Sequence, residues 1–178
     1  MMTTKAVKER RILIAGVPAA GKSHFCNWLC LNCGFDRIDV DSNADAAEGL
    51  YQLGAEVRSR APENRLLQSV EDFVARLTTW PRLVLDWSFP PDFLSVVTLF
   101  GDAGFELWWF NADWNAARAK YGTVHGDSRI PLFDRQRDRV LPAWNEIRPA
   151  FEPNILTTLN SDGSRMQPDE IARRMNVS

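Results

Sequence analysis

The feature that most constrains this sequence is the segment at residues 16–23, which reads GVPAAGKS. It matches in full the pattern G-x-x-x-x-G-K-[ST], whose two glycines let backbone N–H groups turn inward around phosphate oxygens. The segment follows an apolar run at residues 11–15 and opens a helical pattern at residues 22–33. This order of strand, loop and helix predicts a phosphate-binding loop in a parallel α/β sheet. A glycine turn without a ligand is the alternative interpretation.

The loop offers two reactive side chains and a set of backbone donors. We expect Lys22 to reach the β- and γ-phosphates of ATP and to assist catalysis, and the Ser23 hydroxyl to be a ligand of Mg²⁺. The positive end of the helix that starts here adds to the attraction for phosphate. The expected nucleotide-binding residues are Gly16, Val17, Pro18, Ala19, Ala20, Gly21, Lys22, Ser23 and His24.

Apolar runs alternate with helical patterns along the whole chain. The runs lie at residues 11–15, 35–40, 82–85, 105–110 and 155–159. This alternation predicts a parallel sheet with helices on both faces. Residues 1–178 are predicted to form one domain, and a content of 45% hydrophobic residues suits a single core. A polar, glycine-containing segment at residues 122–131 is predicted to be a lid loop. Pro142 is predicted to kink or divide the helix of residues 132–148.

Three carboxylates follow predicted strands, at the edge of the sheet where the phosphates should lie. Asp86 ends the third strand and is expected to hold Mg²⁺ directly or through water. Asp41 follows the second strand, and we expect it to accept a proton from an acceptor hydroxyl. Asp39, two residues earlier, is expected to assist Mg²⁺ binding or to position its neighbours. Turn formation and helix capping are the alternative for Asp39 and Asp41.

Arginines flank the predicted lid. Arg118 lies on the helix before it, Arg129 lies within it and Arg135 follows it. Phosphoryl transfer needs cations that neutralise charge on the γ-phosphate. We therefore expect Arg118 and Arg129 to contact the transferred group, and Arg118 to contact the nucleotide as well. The alternative is a solvated helix face on which arginines pair with Asp134 and Asp138.

A second basic group lies between the second and third predicted strands. Arg58 and Arg65 belong to it, in the region where an acceptor is expected to sit over the sheet. Paired guanidinium groups suit a phosphate or a carboxylate on that acceptor. The same residues would also be stable near the C-terminal end of a helix, where cations are favoured.

Charge, cysteine content and hydropathy limit the class of partner. The formal net charge is −2 with both signs interspersed, which disfavours a large nucleic-acid footprint without excluding a local one. No apolar run is long enough to cross a bilayer. Cys26, Cys30 and Cys33 cannot pair completely and share a helix face, so we expect packed thiols in the reducing cytoplasm.

On these residues the chain resembles P-loop kinases of the zeta-toxin, chloramphenicol-phosphotransferase and polynucleotide-kinase type, with shikimate and gluconate kinases nearby. The resemblance rests on GVPAAGKS, on DVD at residues 39–41, on LVLD at residues 83–86 and on the arginines around the lid. It implies a three-layer fold with five parallel strands in the order 2-3-1-4-5. It also implies ATP with Mg²⁺, and Asp41 as the base or as the group that holds the acceptor.

Three function classes remain open from the sequence. The favoured one is a phosphotransferase that moves the γ-phosphoryl group of ATP to a hydroxyl of a small molecule or nucleotide. The second is a kinase that acts on a nucleic-acid end or on another macromolecule. The third is an ATP-bound switch or a partner-binding ATPase, which would need no acceptor carboxylate.

Overall fold

Five parallel strands form one sheet in the computed structural model, which describes residues 9–40, 74–88 and 91–177. The strands are β1 (Arg10–Gly16), β2 (Asp36–Asp39), β3 (Arg82–Asp86), β4 (Glu106–Ala112) and β5 (Ile155–Leu159). Their order in the sheet is β2-β3-β1-β4-β5, which confirms the predicted order. β1 occupies the centre, where it pairs with β3 on one side and β4 on the other. Its residues Ile12, Leu13 and Ile14 are therefore fully buried.

Five α-helices and two short 3-10 turns with assigned bounds surround the sheet in the part of the chain that the structure describes. The helices are α1 (Lys22–Cys33), α2 (Leu94–Asp102), α3 (Trp114–His125), α4 (Ile130–Phe151) and α5 (Pro168–Arg174). The 3-10 turns are Pro91–Phe93 and Asp127–Arg129, and residues 74–77 are also helical. The α/β fold class is therefore confirmed. The sequence pattern also predicts a helix from about residue 43 to residue 60, and this segment lies outside the described residues.

Aromatic side chains attach helices to both faces of β4. Neighbouring residues on a strand point to opposite faces, so Trp109 and Phe110 pack on different layers. Phe110 meets Phe25 of α1 with ring centroids 5.6 Å apart. Trp109 meets Phe151 of α4 with ring centroids 5.3 Å apart. Both strand residues are almost completely buried, so this pair fixes the three-layer arrangement.

The segment between α3 and α4 is more helical than the sequence predicts. α3 continues through Gly122 to His125, and α4 already begins at Ile130, so the connecting turn is shorter than the predicted lid of residues 122–131. Gly122 allows this, because a Cβ atom there would lie 3.0 Å from Ile130 Cδ1. α4 also contains Pro142 without being divided, so the predicted division does not occur.

The three cysteines lie on α1 as free thiols. Cys26 is completely buried, and burial raises the pKa of its thiol well above the usual value, with the negative charge of Asp86 adding to the effect. Cys30 and Cys33 are partly exposed. Within the described ranges, no helix has both the length and the apolar character that crossing a bilayer requires.

Candidate nucleotide-binding site

Backbone contacts shape the loop between β1 and α1. Gly16 has φ 139°, and a Cβ atom there would lie 2.2 Å from the carbonyl oxygen of Phe110, so no other residue fits without a shift of β4. The Val17 N–H donates to that same oxygen at 3.0 Å, and the Ala20 N–H donates to Val17 O at 3.2 Å. Gly21 then caps α1 with φ 90°. The loop is thus a preformed turn on the end of β1.

Two side chains from the β5 side hold the loop from outside. Thr158 Oγ1 donates to Ala20 O at 2.7 Å and is almost completely buried. Arg165 Nη2 donates to Ala19 O at 2.8 Å. Sequence reasoning missed Arg165, although it is the only basic residue between β5 and α5 and follows a strand of the parallel sheet.

The ammonium group of Lys22 lies inside the loop. Lys22 is 5% exposed, and its Nζ donates to Gly16 O and to Val17 O, each at 3.1 Å. A buried charge is costly unless it is paired or hydrogen-bonded, and carbonyl oxygens pair less strongly with a cation than phosphate oxygens do. The first N–H groups of α1 have no partner within the helix and point to the same side. The loop therefore presents a set of donors suited to an anion.

A cavity of about 860 Å³ opens above the loop. Its volume lies within the range of ligand sites in proteins. Most of the residues that the sequence singled out for nucleotide or metal binding line it. These are Pro18, Ala19, Gly21, Lys22, Ser23, His24, Asp39, Asp86 and Arg129. The other lining residues are Ser88, Tyr121, Val124, His125 and Arg165.

The remaining predicted residues lie elsewhere. Gly16, Val17 and Ala20 are buried beneath the cavity, where they form the loop rather than its surface. Arg118 does not line the cavity, because its guanidinium group is bonded to Asp134 of α4.

Three predicted residues, Asp41, Arg58 and Arg65, lie outside the described part of the chain. Their proposed roles rest on the sequence alone.

Two neighbouring carboxylates and the hydroxyl of Ser23 line the same cavity. Asp39 of β2 lies directly opposite Asp86 of β3 in the register of the sheet. Within the described residues, no group of three His, Cys, Asp or Glu side chains could hold a metal ion. Two carboxylates and a hydroxyl fit Mg²⁺, which proteins usually bind through one or two carboxylates together with substrate phosphates and waters. The donor set thus suits a metal that a nucleotide brings with it.

A guanidinium group joins these two carboxylates. Arg37 Nη2 lies 2.7 Å from Asp86 Oδ2 and 2.9 Å from Asp39 Oδ2, and Arg37 Nη1 donates to Asn27 Oδ1 at 2.8 Å. Burial on its own lowers the pKa of Arg37, but the negative charge of Asp86, with smaller contributions from its other neighbours, raises the pKa above its ordinary value. Sequence reasoning missed Arg37. Its spacing of two from Asp39, which places both side chains on one face of β2, was the available signal.

Three solved structures with similar folds are two kinases and one protein in complex with a nucleotide. A shikimate kinase from Bacteroides thetaiotaomicron has a TM-score of 0.59 at 16% identity, covering 94% of this chain and 96% of that one. The YorR protein of Bacillus subtilis, in complex with phosphorylated GDP, has a TM-score of 0.58 at 15% identity, covering 93% of each chain. A gluconokinase from Sinorhizobium meliloti 1021 has a TM-score of 0.53 at 14% identity, covering 93% of this chain and 88% of that one.

The chain has the fold of the small P-loop kinases. At such low identities the likeness concerns the fold. No protein-family model matches the sequence, and no curated protein matches it significantly.

Within this P-loop kinase fold, the end of α3 forms part of the wall of the cavity. Tyr121 and His125 stand one turn apart on α3, with ring centroids 4.4 Å apart, and both line the cavity. His125 lies in the segment that the sequence predicts to be a lid loop. It is exposed, but it belongs to the last turn of α3 and contacts Tyr121. Together the two rings offer an aromatic surface beside the phosphate-binding loop.

Proposed function

We propose that this chain is an ATP-dependent phosphotransferase, which moves the γ-phosphoryl group of Mg-ATP to a hydroxyl of a small molecule or nucleotide. The observation that carries the proposal is the meeting of Lys22, Asp86 and Arg129 in one cavity. They supply a buried ammonium group, a carboxylate at a strand end and an arginine from the α3–α4 turn. A phosphoryl-transfer site needs these three functions.

The triphosphate would lie over the loop, with Lys22 turned from its backbone acceptors toward phosphate oxygens. The base of the nucleotide would lie toward Tyr121, whose ring borders the cavity beside Arg165. The guanine signature N-K-x-D is missing from the end of β4, where the sequence reads Asn111-Ala112-Asp113. This favours ATP over GTP.

The metal would be held by the Ser23 hydroxyl and the triphosphate, with Asp86 and Asp39 beside it. When bound, Mg²⁺ neutralises charge that develops on the phosphate oxygens. The chain's own contribution is to fix the direction of approach. Ser23 lies in the first turn of α1, and the two carboxylates end adjacent strands, so all three would approach the phosphates from the sheet side.

Asp41 is the proposed base. The residue before it, Val40, donates its N–H to Asp86 O at 2.9 Å. In the proposed step Asp41 accepts the proton of the acceptor hydroxyl, whose oxygen forms a bond to the γ-phosphorus as the bond to the ADP oxygen breaks. Arg129 would neutralise the transferred group, and Arg118 would do so after leaving Asp134.

The acceptor would enter from a second, smaller cavity of about 190 Å³. Ser88 lines both cavities, so the second one adjoins the phosphate site. Arg135 and Arg139, one turn apart on α4, also line it, and Gln136 Nε2 donates to Ser88 O at 2.9 Å. Two guanidinium groups at this spacing fit a carboxylate or phosphate, so the proposed acceptor carries an anionic group as well as a hydroxyl. Arg58 and Arg65 remain proposed acceptor residues from the sequence.

The test has two parts. Mg-ATP should raise the melting temperature of the wild-type protein, because a ligand that binds only the folded state stabilises it. Lys22→Ala should lose both this stabilisation and turnover. Lys120→Ala removes an equal charge from an exposed position on α3 away from the cavity lining, and it should behave as the wild type.

A screen with γ-labelled ATP then separates the function classes. It should include anionic and neutral hydroxyl compounds, nucleosides and 5′-hydroxyl oligonucleotides. Label on an anionic small molecule or nucleotide supports the proposal. Label only on oligonucleotides or proteins would favour a macromolecule kinase, and hydrolysis alone would favour an ATPase or a switch. An unchanged melting temperature with Mg-ATP would contradict nucleotide binding itself. The cytoplasmic setting expected from the sequence stays a prediction.

A further inference from the structure

Asp86, which is expected to hold the metal, is already paired with Arg37. The side chains of Arg37 and Asp86 are 12% and 4% exposed, and that of Asp39 is 19% exposed. One nitrogen, Nη2, contacts an Oδ2 atom of each carboxylate. Both carboxylates therefore already have a cation at hydrogen-bond distance.

Arg37 is itself held in place from α1. Its Nη1 donates to the side-chain oxygen of Asn27, which lies on the exposed surface of that helix. The buried Nε of Arg37 has no hydrogen-bond partner among the described residues. The position of the guanidinium group is thus set by two carboxylates and one amide, which fixes its plane across the ends of β2 and β3.

A divalent cation and this guanidinium group would compete for the same oxygens. Asp39 and Asp86 are opposite each other in the sheet, so without a cation their charges would repel at close range. Arg37 removes that repulsion and at the same time uses one oxygen of each carboxylate. A free metal ion would have to displace it while finding few other protein ligands, since the described residues contain no third His, Cys, Asp or Glu at this place.

We propose that Arg37 is a built-in counter-ion that keeps free divalent cations off Asp39 and Asp86, so that the metal enters this site only together with nucleotide phosphates. The role of the nucleotide in this inference rests on the proposed function. Phosphate oxygens supply ligands that the described residues lack at this place, and Arg37 makes the site select a metal–nucleotide complex over the bare ion. Arg37 is in this sense a positioning residue, because it acts through the two carboxylates.

The experiment measures Mn²⁺ binding to the nucleotide-free protein by electron paramagnetic resonance, which reports the free ion directly. Arg37→Met should bind Mn²⁺ at least about tenfold more tightly than the wild type, because a unit positive charge beside the carboxylates is gone. Arg37→Lys retains the charge and should bind more weakly than Arg37→Met. The double variant Arg37→Met with Asp86→Asn should lose the gained affinity, which locates the ion at this site.

A milder variant keeps the proposal testable even if Arg37→Met does not fold. Asn27→Ala changes an exposed side chain and removes only the anchor of the guanidinium group, so it should fold and bind Mn²⁺ more tightly than the wild type. Asn32→Ala, at an exposed position of the same helix, is the matched control and should leave the affinity unchanged. Equal Mn²⁺ affinities in the wild type, Arg37→Met and Asn27→Ala would overturn the proposal.

The same titration with a non-hydrolysable ATP analogue separates this inference from the proposed function. The wild type should then bind Mn²⁺ together with the analogue. If it binds neither, the proposed nucleotide site fails, while a difference in Mn²⁺ affinity between the wild type and Arg37→Met would still support the counter-ion role. If the wild type binds the analogue but binds Mn²⁺ equally well without it, the counter-ion role fails and the nucleotide site stands.

Discussion

Arg118 and Asp134 form a bidentate ion pair that joins α3 to α4. Arg118 Nε lies 2.8 Å from Asp134 Oδ1, and Arg118 Nη2 lies 3.0 Å from Asp134 Oδ2. Arg137 adds a contact to the same carboxylate at 3.2 Å. The pair therefore holds the arginine that is proposed to contact phosphate in a position away from the cavity lining. For Arg118 to reach a nucleotide, this pair must open.

Opening the pair by mutation should strengthen nucleotide binding. In Asp134→Asn the ionic partner of Arg118 is gone, so contact with phosphate no longer competes with it. We expect a lower Kd for Mg-ATP, measured by calorimetry. Asp138→Asn is the matched control, since it removes an equal charge from α4 but from a carboxylate that contacts Arg137 instead. Equal gains in both variants would indicate a general charge effect and would leave Arg118 without a role.

The same pair predicts a pH dependence of stability. The hydrogen bond from Arg118 lowers the pKa of Asp134 below its ordinary value. A lowered pKa in the folded state means that the carboxylate stabilises the fold above its unfolded pKa of about 3.9 and loses this contribution as pH falls through the folded pKa. The difference in melting temperature between the wild type and Asp134→Asn should therefore be largest near neutral pH and shrink at acid pH.

An Arg118→Ala background is the control for that pH series. Without the guanidinium group of Arg118, Asp134→Asn should change the melting temperature much less, because only the contact of Arg137 with this carboxylate remains. A pH-dependent difference that persists in this background would mean that another group causes it.

The extent of each strand could be predicted because it depends on local pattern, whereas the order of the strands in the sheet was implied by the family resemblance. The run at residues 155–159 and the observed β5 have the same limits, and the other strands agree within two residues. The loop at residues 16–23 could be predicted equally well, since its glycines and its lysine are required by the chemistry of phosphate binding. Such features are encoded by neighbours in sequence.

Contacts between distant segments could not be predicted in this way. Arg37 meets Asp86 only because β2 and β3 are adjacent in the sheet at a particular register. Arg165 reaches Ala19 only because the turn after β5 folds back over the loop. The extra turn of α3 depends on packing of Gly122 against Ile130, whereas the local composition of glycine and polar residues favours a loop.

Replacing Gly16 should destabilise the protein strongly. In Gly16→Ala the new Cβ atom would meet Phe110 O at 2.2 Å, in addition to the strain of φ 139°. We expect a loss of about 2–4 kcal/mol in the free energy of unfolding, measured by urea denaturation, because β1 and β4 must separate. Gly163→Ala tests the conformational strain alone, since φ is 80° there but no atom lies within 4 Å of the new Cβ. Gly163→Ala should lower the free energy of unfolding by only about 1–2 kcal/mol. Similar losses in both variants would mean that the contact with Phe110 does not matter.

Removing Arg165 should weaken nucleotide binding while the fold persists. Its guanidinium group holds the carbonyl of Ala19 and lines the cavity, so Arg165→Ala should free that side of the loop and raise the Kd for Mg-ATP. In this variant Thr158 should still hold the phosphate-binding loop against β5, because its hydroxyl donates to Ala20 O. Arg174→Ala is the matched control, because Arg174 pairs with Glu170 on the surface of α5. The measurement is calorimetric titration of both variants, with circular dichroism to verify folding. If Arg165→Ala bound Mg-ATP as tightly as Arg174→Ala, the loop would be rigid without its outer support.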